Sequence, residues 1–202
     1  NEWMNKRGRP FAFHTQASIN LADDDELMRL MTQAGFDSVF VGIETTNEES
    51  LLECSKGQNT KRDLLASVQK IQHAGLQVTA GFIVGFDHDT PAIFQRQIEF
   101  IQQSGIVTAM VGLLQALPGT KLHQRLDAQD RLIGLTTGNN VDAATNFIPR
   151  MDPEILRDGY RRLMAYIYSP GPYYRRIRTF LREFHRPKIS CSLDWRYLMA
   201  FL

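Results

Sequence analysis

Apolar and polar positions along the first 117 residues alternate between two periods. Phe11 to Ile19 mixes apolar with polar residues and predicts a strand ending near Gln16 and Ser18. Val39 to Ile43 (broken by Gly42), Val78 to Phe86 and Val107 to Ala116 are near-continuous apolar runs, which predict parallel strands covered by helices. Between them the spacing becomes helical. Asp23 followed by Glu26 is a capping-box pattern, and Leu27, Leu30, Met31 and Ala34 follow at i, i+3, i+4, i+7. A helix from Thr60 turns Leu64, Leu65, Val68 and Ile71 inward. Another from Thr90, with Pro91 in the favoured first position, turns in Ile93, Phe94, Ile98 and Ile101. Each helix closes on a glycine that launches the next strand: Ala34-Gly35-Phe36, Ala74-Gly75-Leu76 and Ser104-Gly105-Ile106. Repeated helix-to-strand units imply right-handed βαβ crossovers and about four parallel strands.

The repeat breaks after Leu117-Pro-Gly-Thr120. A short helix (Lys121 to Leu126) and a Gly/Thr/Asn-rich loop from Gly134 to Asn146 lead to helical sequence. Asp152 and Pro153 start a helix with Ile155, Leu156, Tyr160, Leu163, Met164 and Ile167 inward. Ser169 to Pro172 reads as a turn, Tyr173 to Phe184 as a helix with Ile177, Phe180, Leu181 and Phe184 on one face, and Leu193 to Leu202 as a last short helix. The expected organisation is an α/β unit over 1–128 and a helical extension over 129–202.

Composition narrows this picture. The chain has 202 residues and a formal net charge of +1, ordinary for a globular domain. Ten Lys/Arg against four Asp/Glu between Arg150 and Lys188 make that segment +6 and leave −5 for the remainder. Two cysteines, Cys54 and Cys191, are too few for a disulfide framework or a cysteine-ligated metal site. No apolar run approaches the ~20 residues of a membrane span, and a cytoplasmic location is the expectation. The chain opens on Asn1 in what reads as a helix end, so a piece of a longer protein is expected.

Candidate chemistry gathers at the carboxyl ends of the strands, where parallel α/β sheets bind ligands: Gln16, Glu44, Asp87 to Asp89, and Gln115. Lys56 lies twelve residues after Glu44, just past the helix that Thr45, Thr46 and Asn47 can cap. A carboxylate at a strand end with a returning lysine could hold a ligand carrying both an amine and a carboxylate. The simpler reading makes Glu44 a cap and Lys56 a solvated surface residue.

Four motifs decide between these in sequence order. Phe40-Val-Gly-Ile-Glu-Thr45 with Lys56-Gly-Gln-Asn59, Phe82-Ile-Val-Gly-Phe86 with Asp89-Thr90, Leu114 to Thr120, and the tail around Gly159-Tyr160-Arg161 and Tyr173-Tyr174-Arg175-Arg176 resemble the radical S-adenosylmethionine (SAM) superfamily. The likeness is specifically to the subgroup whose radical domain follows a cobalamin-binding domain. It implies a partial (βα) TIM-type barrel with SAM across the carboxyl ends of its strands. Gln16 and Ser18 would approach the ribose or methionyl portion, Glu44 the amino or ribose groups, and Lys56 the carboxylate. Ile83, Gly85 and Phe86 would form the wall beside adenine, and Gln115 the far side of the pocket. For the whole protein the resemblance implies a small-molecule substrate, a [4Fe–4S] cluster, cobalamin, and methylation or rearrangement of an unactivated carbon.

Two departures stand out. The family's Pro-x-Glu after the fifth strand reads Asp87-His88-Asp89, and no Cys-x3-Cys-x2-Cys triplet for the cluster is present. The chain is therefore expected to lack the cluster-binding half, the first two strands and any cobalamin domain, and to be inactive alone. An uncovered sheet edge invites pairing, so a homo-oligomer is expected. Cys54 reads as a small filler, the five histidines lack ligand spacing, and Asp23 to Glu26 reads as helix capping. The alternative function is a binding module whose basic tail (Arg161, Arg162, Arg175, Arg176, Arg178 and Arg182) engages nucleic acid. The simpler reading of those arginines is a solvated helix face.

Overall fold

The computed structural model describes residues 2–136 and 144–185; the final helix expected at Leu193 to Leu202, and Cys191, lie outside them. Four parallel strands, β1 (Phe13–Ala17), β2 (Phe36–Glu44), β3 (Gln77–Val84) and β4 (Ala109–Leu113), lie in that order. The helices are α1 (Glu2–Lys6), α2 (Asp25–Ala34), α3 (Glu48–Glu53), α4 (Leu64–His73), α5 (Ala92–Ser104), α6 (Lys121–Asp127), α7 (Pro153–Ile167) and α8 (Pro170–Glu183). The α/β reading with parallel strands and a helical C-terminal part holds. Gly35, Gly75 and Gly105 take positive φ (106°, 93° and 70°), as helix-ending glycines should.

Alternation along the strands separates two faces. Val39, Val41 and Ile43 of β2 and Val78, Ala80, Phe82 and Val84 of β3 are buried with Val68, Ile71, Ile93 and Ile101 of the helices. The alternate positions, Phe40, Gly42, Gly81 and Ile83, lie on the opposite, less covered face. Within the strands the apolar runs thus bury one face densely and leave the other partly open. β1 pairs with β2 alone among the described residues, and Phe11 and Phe13 are exposed beside it.

Several boundaries differ from the sequence reading, each for a local reason. Asp24, not Asp23, caps α2 by accepting from the Leu27 amide at 2.8 Å. The buried positions are consequently Met28 and Thr32, while Leu27 and Leu30 are exposed. Helix α4 starts at Leu64 because Asp63 accepts from the Ala66 amide; the residues before it form a 3₁₀ turn, Gly57–Asn59. The expected turn at Ser169 to Pro172 is the first turn of α8, where proline's missing N–H costs nothing. Ile155 and Leu181 are exposed.

Helices α7 and α8 share the main core. Leu156, Tyr160, Leu163 and Ile167 belong to the same buried cluster as the strands. Side chains also finish the free edge of the sheet. Tyr160 donates its hydroxyl to Val111 O (3.2 Å) and Tyr168 donates to Ala109 O (2.8 Å). Asn146 pairs with both backbone groups of Ala116, accepting from N at 2.8 Å and donating to O at 2.9 Å. Gly159 lets α7 approach α5, since a Cβ there would lie 2.1 Å from the Phe94 ring.

The loop after β3 is fastened by charge. Asp87, its side chain 3% exposed, takes both arms of Arg131 (2.7 and 2.9 Å) and one of Arg125 (2.6 Å). Arg125 also pairs with Glu53 at the end of α3, which pairs in turn with His88 at 3.1 Å. Burial raises the Asp87 pKa, but the hydrogen bonds and charges of Arg131 and Arg125 outweigh it and hold it down at about 2. Asp89 is likewise committed to structure. It accepts from the amides of Gly85 and Phe86 (2.9 and 3.1 Å) and from Ser50 Oγ (3.0 Å). Where the family has Pro-x-Glu, this chain therefore builds a clamp.

Two outcomes are expected. Gly159→Ala should destabilise the chain by about 1–3 kcal/mol in urea unfolding, because overpacking against Phe94 outweighs alanine's roughly 1 kcal/mol helix advantage; a stabilised variant would contradict the α5–α7 packing. Asp87 has a folded pKa below its ordinary value of 3.8, so its contribution is present above about pH 4 and is lost as pH falls toward 2. Asp87→Asn should cost roughly 2–4 kcal/mol at pH 7. Its deficit relative to the parent should shrink on acidification from pH 5 to pH 2.5, and a deficit independent of pH would rule the clamp out.

Candidate active site

The carboxyl end of β2 is irregular in a specific way. Gly42 pairs with Gly81 of β3 and Glu44 with Phe82, so β2 carries one extra residue and bulges between them. Glu44 then adopts φ 66°, the left-handed region that non-glycine residues enter at a cost of about 1–2 kcal/mol. Two asparagines hold this shape, Asn59 buried and Asn47 partly exposed. Asn59, at the end of the 3₁₀ turn, donates to both Gly42 O and Ile43 O (3.1 and 3.0 Å). Asn47 caps α3 by accepting from the Glu49 amide, and its amide also donates to His88 O (3.0 Å). The cap role given to Glu44 in the simpler sequence reading thus belongs to Asn47.

The result aims the Glu44 carboxylate back over Gly42, where Lys56 Nζ meets Oε1 at 2.9 Å. A Cβ at position 42 would lie 2.5 Å from that oxygen and 3.1 Å from the ammonium. Glycine leaves the space that the ion pair occupies, and a side chain there would push both flexible charged ends aside. The pair is partly open, with side-chain exposures of 33% for Lys56 and 17% for Glu44, so each partner can exchange the other for a ligand group. Cys54 sits nearby, half-buried, donating to Leu51 O at 3.4 Å. Burial first, and the Glu44 charge second, push its thiol pKa up, which keeps it a neutral thiol and a poor nucleophile.

Glu44 lies at the rim of a cavity of about 460 Å³ on the uncovered face of the sheet. Glycines on three neighbouring strands, Gly42, Gly81 and Gly112, give it depth, and Phe40 and Ile83 rise beside them. Gln115, which accepts a hydrogen bond from Thr136, stands toward the carboxyl end of β4. Met164 and Tyr168 enter from α7.

The structure thus brings Glu44, Ile83 and Gln115 to one cavity and couples Lys56 to it through the ion pair. Gln16 faces the same side of the sheet, opposite Phe40 on β2, but is not in the cavity lining. Ser18 is exposed at the start of the 3₁₀ turn Ile19–Asp23 and makes no capping bond. Gly85, at φ 104°, abuts Leu156, and Phe86 is buried in a second core with Leu114, Ala116, Leu126 and Phe147. Gly42 and Asn59 were visible in the sequence, as a glycine interrupting an apolar strand and as the end of the Lys56-Gly-Gln-Asn59 motif, but had no assigned part in the site. Sequence reasoning also read Met164 as core and gave Tyr168 no role; helical periodicity does not say which side of a helix meets a cavity.

Comparison with known proteins agrees with this architecture. Residues 4–101 match the radical SAM superfamily, and residues 120–202 match a domain of unknown function, DUF4070. An uncharacterized methyltransferase of Synechocystis sp. is 43% identical over 89% of this chain, and a hopanoid C-2 methylase of Rhodopseudomonas palustris is 33% identical over 96%. A bacteriochlorophyllide d C-12(1)-methyltransferase of Chlorobaculum tepidum is 27% identical over 94% of the chain. The alignments cover 34%, 36% and 39% of those three proteins, so the chain spans little more than a third of their length. Taken with the parallel sheet and the ligand-sized cavity along its less covered face, these matches place the chain: it belongs to the radical SAM superfamily.

Proposed function

We propose that this chain is the SAM-cradling and C-terminal portion of a radical SAM methylase acting on an unactivated carbon. The observation that carries the reading is the left-handed Glu44, folded over Gly42 onto Lys56 at the rim of the cavity. SAM carries an ammonium and a carboxylate on one carbon, the charges needed to replace each partner of that pair. In this reading Glu44 takes the ammonium and Lys56 the carboxylate, while Ile83 and Gln115 bound the remainder of the ligand. A partly exposed ion pair contributes only about 0–1 kcal/mol, so a zwitterion that offers both complements can displace it at little cost. When bound, SAM supplies the reactive carbon–sulfur bonds of the chemistry.

The family's [4Fe–4S] cluster does not fit this chain. The sequence has two cysteines, and among the described residues no three His, Cys, Asp or Glu side chains come together as a metal site. No step through a cluster belongs to these residues. The proposal assigns the cluster to residues outside this chain, which leaves the chain inactive alone. Cobalamin enters as a further cofactor of the whole enzyme, supported by the motif resemblance and the match to DUF4070. Support for methylation comes from the relatives, several of which are named as methylases or methyltransferases. The nucleic-acid reading of the tail is weakened by Arg176, which is fully buried and not part of a solvated face.

Titration calorimetry with S-adenosylhomocysteine, which keeps the amino-acid end of SAM, tests the assignment. The parent chain should bind. Glu44→Gln and Lys56→Met should each weaken binding about 10- to 100-fold, the worth of a charged hydrogen bond. Gly42→Ala should weaken it as well by dislodging the carboxylate. Unchanged affinity in all three variants would refute the placement.

A further inference from the structure

Arg176 is the largest fully buried side chain in the described structure, and among the described residues it has no carboxylate partner. It donates to Ile167 O (2.7 Å), Val107 O (2.9 Å) and Gln102 Oε1 (2.9 Å), while its Nε has no partner. The guanidinium sits against a pair of rings, 5.5 Å from the Tyr168 centroid and 5.3 Å from that of Tyr173, the two centroids being 6.1 Å apart. Burying a cation without an anion is expensive, and an apolar side chain would fill the space more cheaply. What the arginine adds is position. Ile167 immediately precedes Tyr168, and Val107 is two residues before Ala109, the strand residue whose O and N both contact the Tyr168 hydroxyl (2.8 and 3.3 Å). One guanidinium therefore ties the backbone on both sides of the Tyr168–Ala109 contact.

Tyr168 is also a wall of the cavity, at the end where β4 begins. That end is made by Phe40, Met110, Met164 and Tyr168 over Gly81. The one charged side chain among the described lining residues, Glu44, stands toward the strands' carboxyl ends. Aromatic rings and thioethers over a glycine floor favour an uncharged ring, and methionine sulfur adapts to aromatic edges.

We infer that Tyr168 is a specificity-determining residue that sets how large an uncharged, ring-bearing group this end of the cavity admits, and that Arg176 is a positioning residue acting through it. The inference rests on the reading of this cavity as a ligand site. It gives the C-terminal helices, whose matching family has no assigned function, a definite part in selection.

The test compares two uncharged fluorescent probes on the full chain, 1-naphthylamine and the bulkier N-phenyl-1-naphthylamine. Tyr168→Ala should shift the affinity ratio at least 10-fold toward the bulkier probe. Tyr168→Phe, which keeps the ring but loses both contacts to Ala109, and Arg176→Met should shift it several-fold in the same direction. Tyr166→Ala, in the last turn of α7 but outside the cavity lining, should leave the ratio unchanged, which separates a wall effect from general loosening of α7. Thermal unfolding identifies any variant that fails to fold; Tyr168→Ala decides the matter if Arg176→Met does not fold. The inference is overturned if the parent binds neither probe, if folded Tyr168→Ala keeps the parental ratio, or if Tyr166→Ala moves it equally. S-adenosylhomocysteine binding, measured alongside, separates the two claims. Glu44-dependent binding with an unmoved probe ratio sinks this inference alone, whereas a shifted ratio without such binding sustains the wall and sinks the SAM reading.

Discussion

The ion pair between Glu44 and Lys56 lies over Gly42, in space that a side chain at that position would contest. The strand end around it carries an extra residue in β2, a left-handed glutamate, and a buried asparagine bonded to the carbonyls of Gly42 and Ile43 beside the bulge. A left-handed non-glycine residue costs of order 1–3 kcal/mol and persists where the surroundings over-determine it. Here the surroundings are Asn59 and the capped helix α3. The strain is spent on direction: it turns a carboxylate that would otherwise leave the sheet back over its open face.

That open face is completed from the other end of the chain. α7 lies along the free edge of β4 and answers its exposed backbone groups with tyrosine hydroxyls, while Asn146 does the same one step further on. Side chains bonded to a strand edge blunt its capacity to template a further strand, and among the described residues β4 is the last strand on that side. The same helix then lends Met164 and Tyr168 to the cavity. Sheet termination and cavity formation are one arrangement, held from behind by Arg176. On the adjacent carboxyl edge, the Asp87 clamp joins α3 to the segment after α6, fixing the loops around the cavity mouth.

The parallel sheet was legible because its signals are local and repeated: apolar runs, helical spacing, and a glycine after each helix. Charged groups were harder. Asp87 and Asp89 read as ligand candidates at a strand end, yet both are consumed by partners whose proximity arises only in the folded chain: Arg125 and Arg131 for one, Ser50 and two amides for the other. Arg176 read as one of a solvated row, and nothing in its neighbours reveals that α8 turns that position onto the end of α7. Glu44 and Lys56 were found as a pair, but the reason they can meet lies in Gly42 and Asn59. Pattern marks where ligands bind in such sheets; it does not separate residues free to bind from residues already engaged.

The most direct test is a crystal structure of the chain with S-adenosylhomocysteine bound. The expected structure has the Glu44–Lys56 contact opened, with Glu44 on the ligand's ammonium, Lys56 on its carboxylate, and Glu44 still left-handed. A structure with the ligand bound elsewhere and the 2.9 Å ion pair intact would contradict this placement.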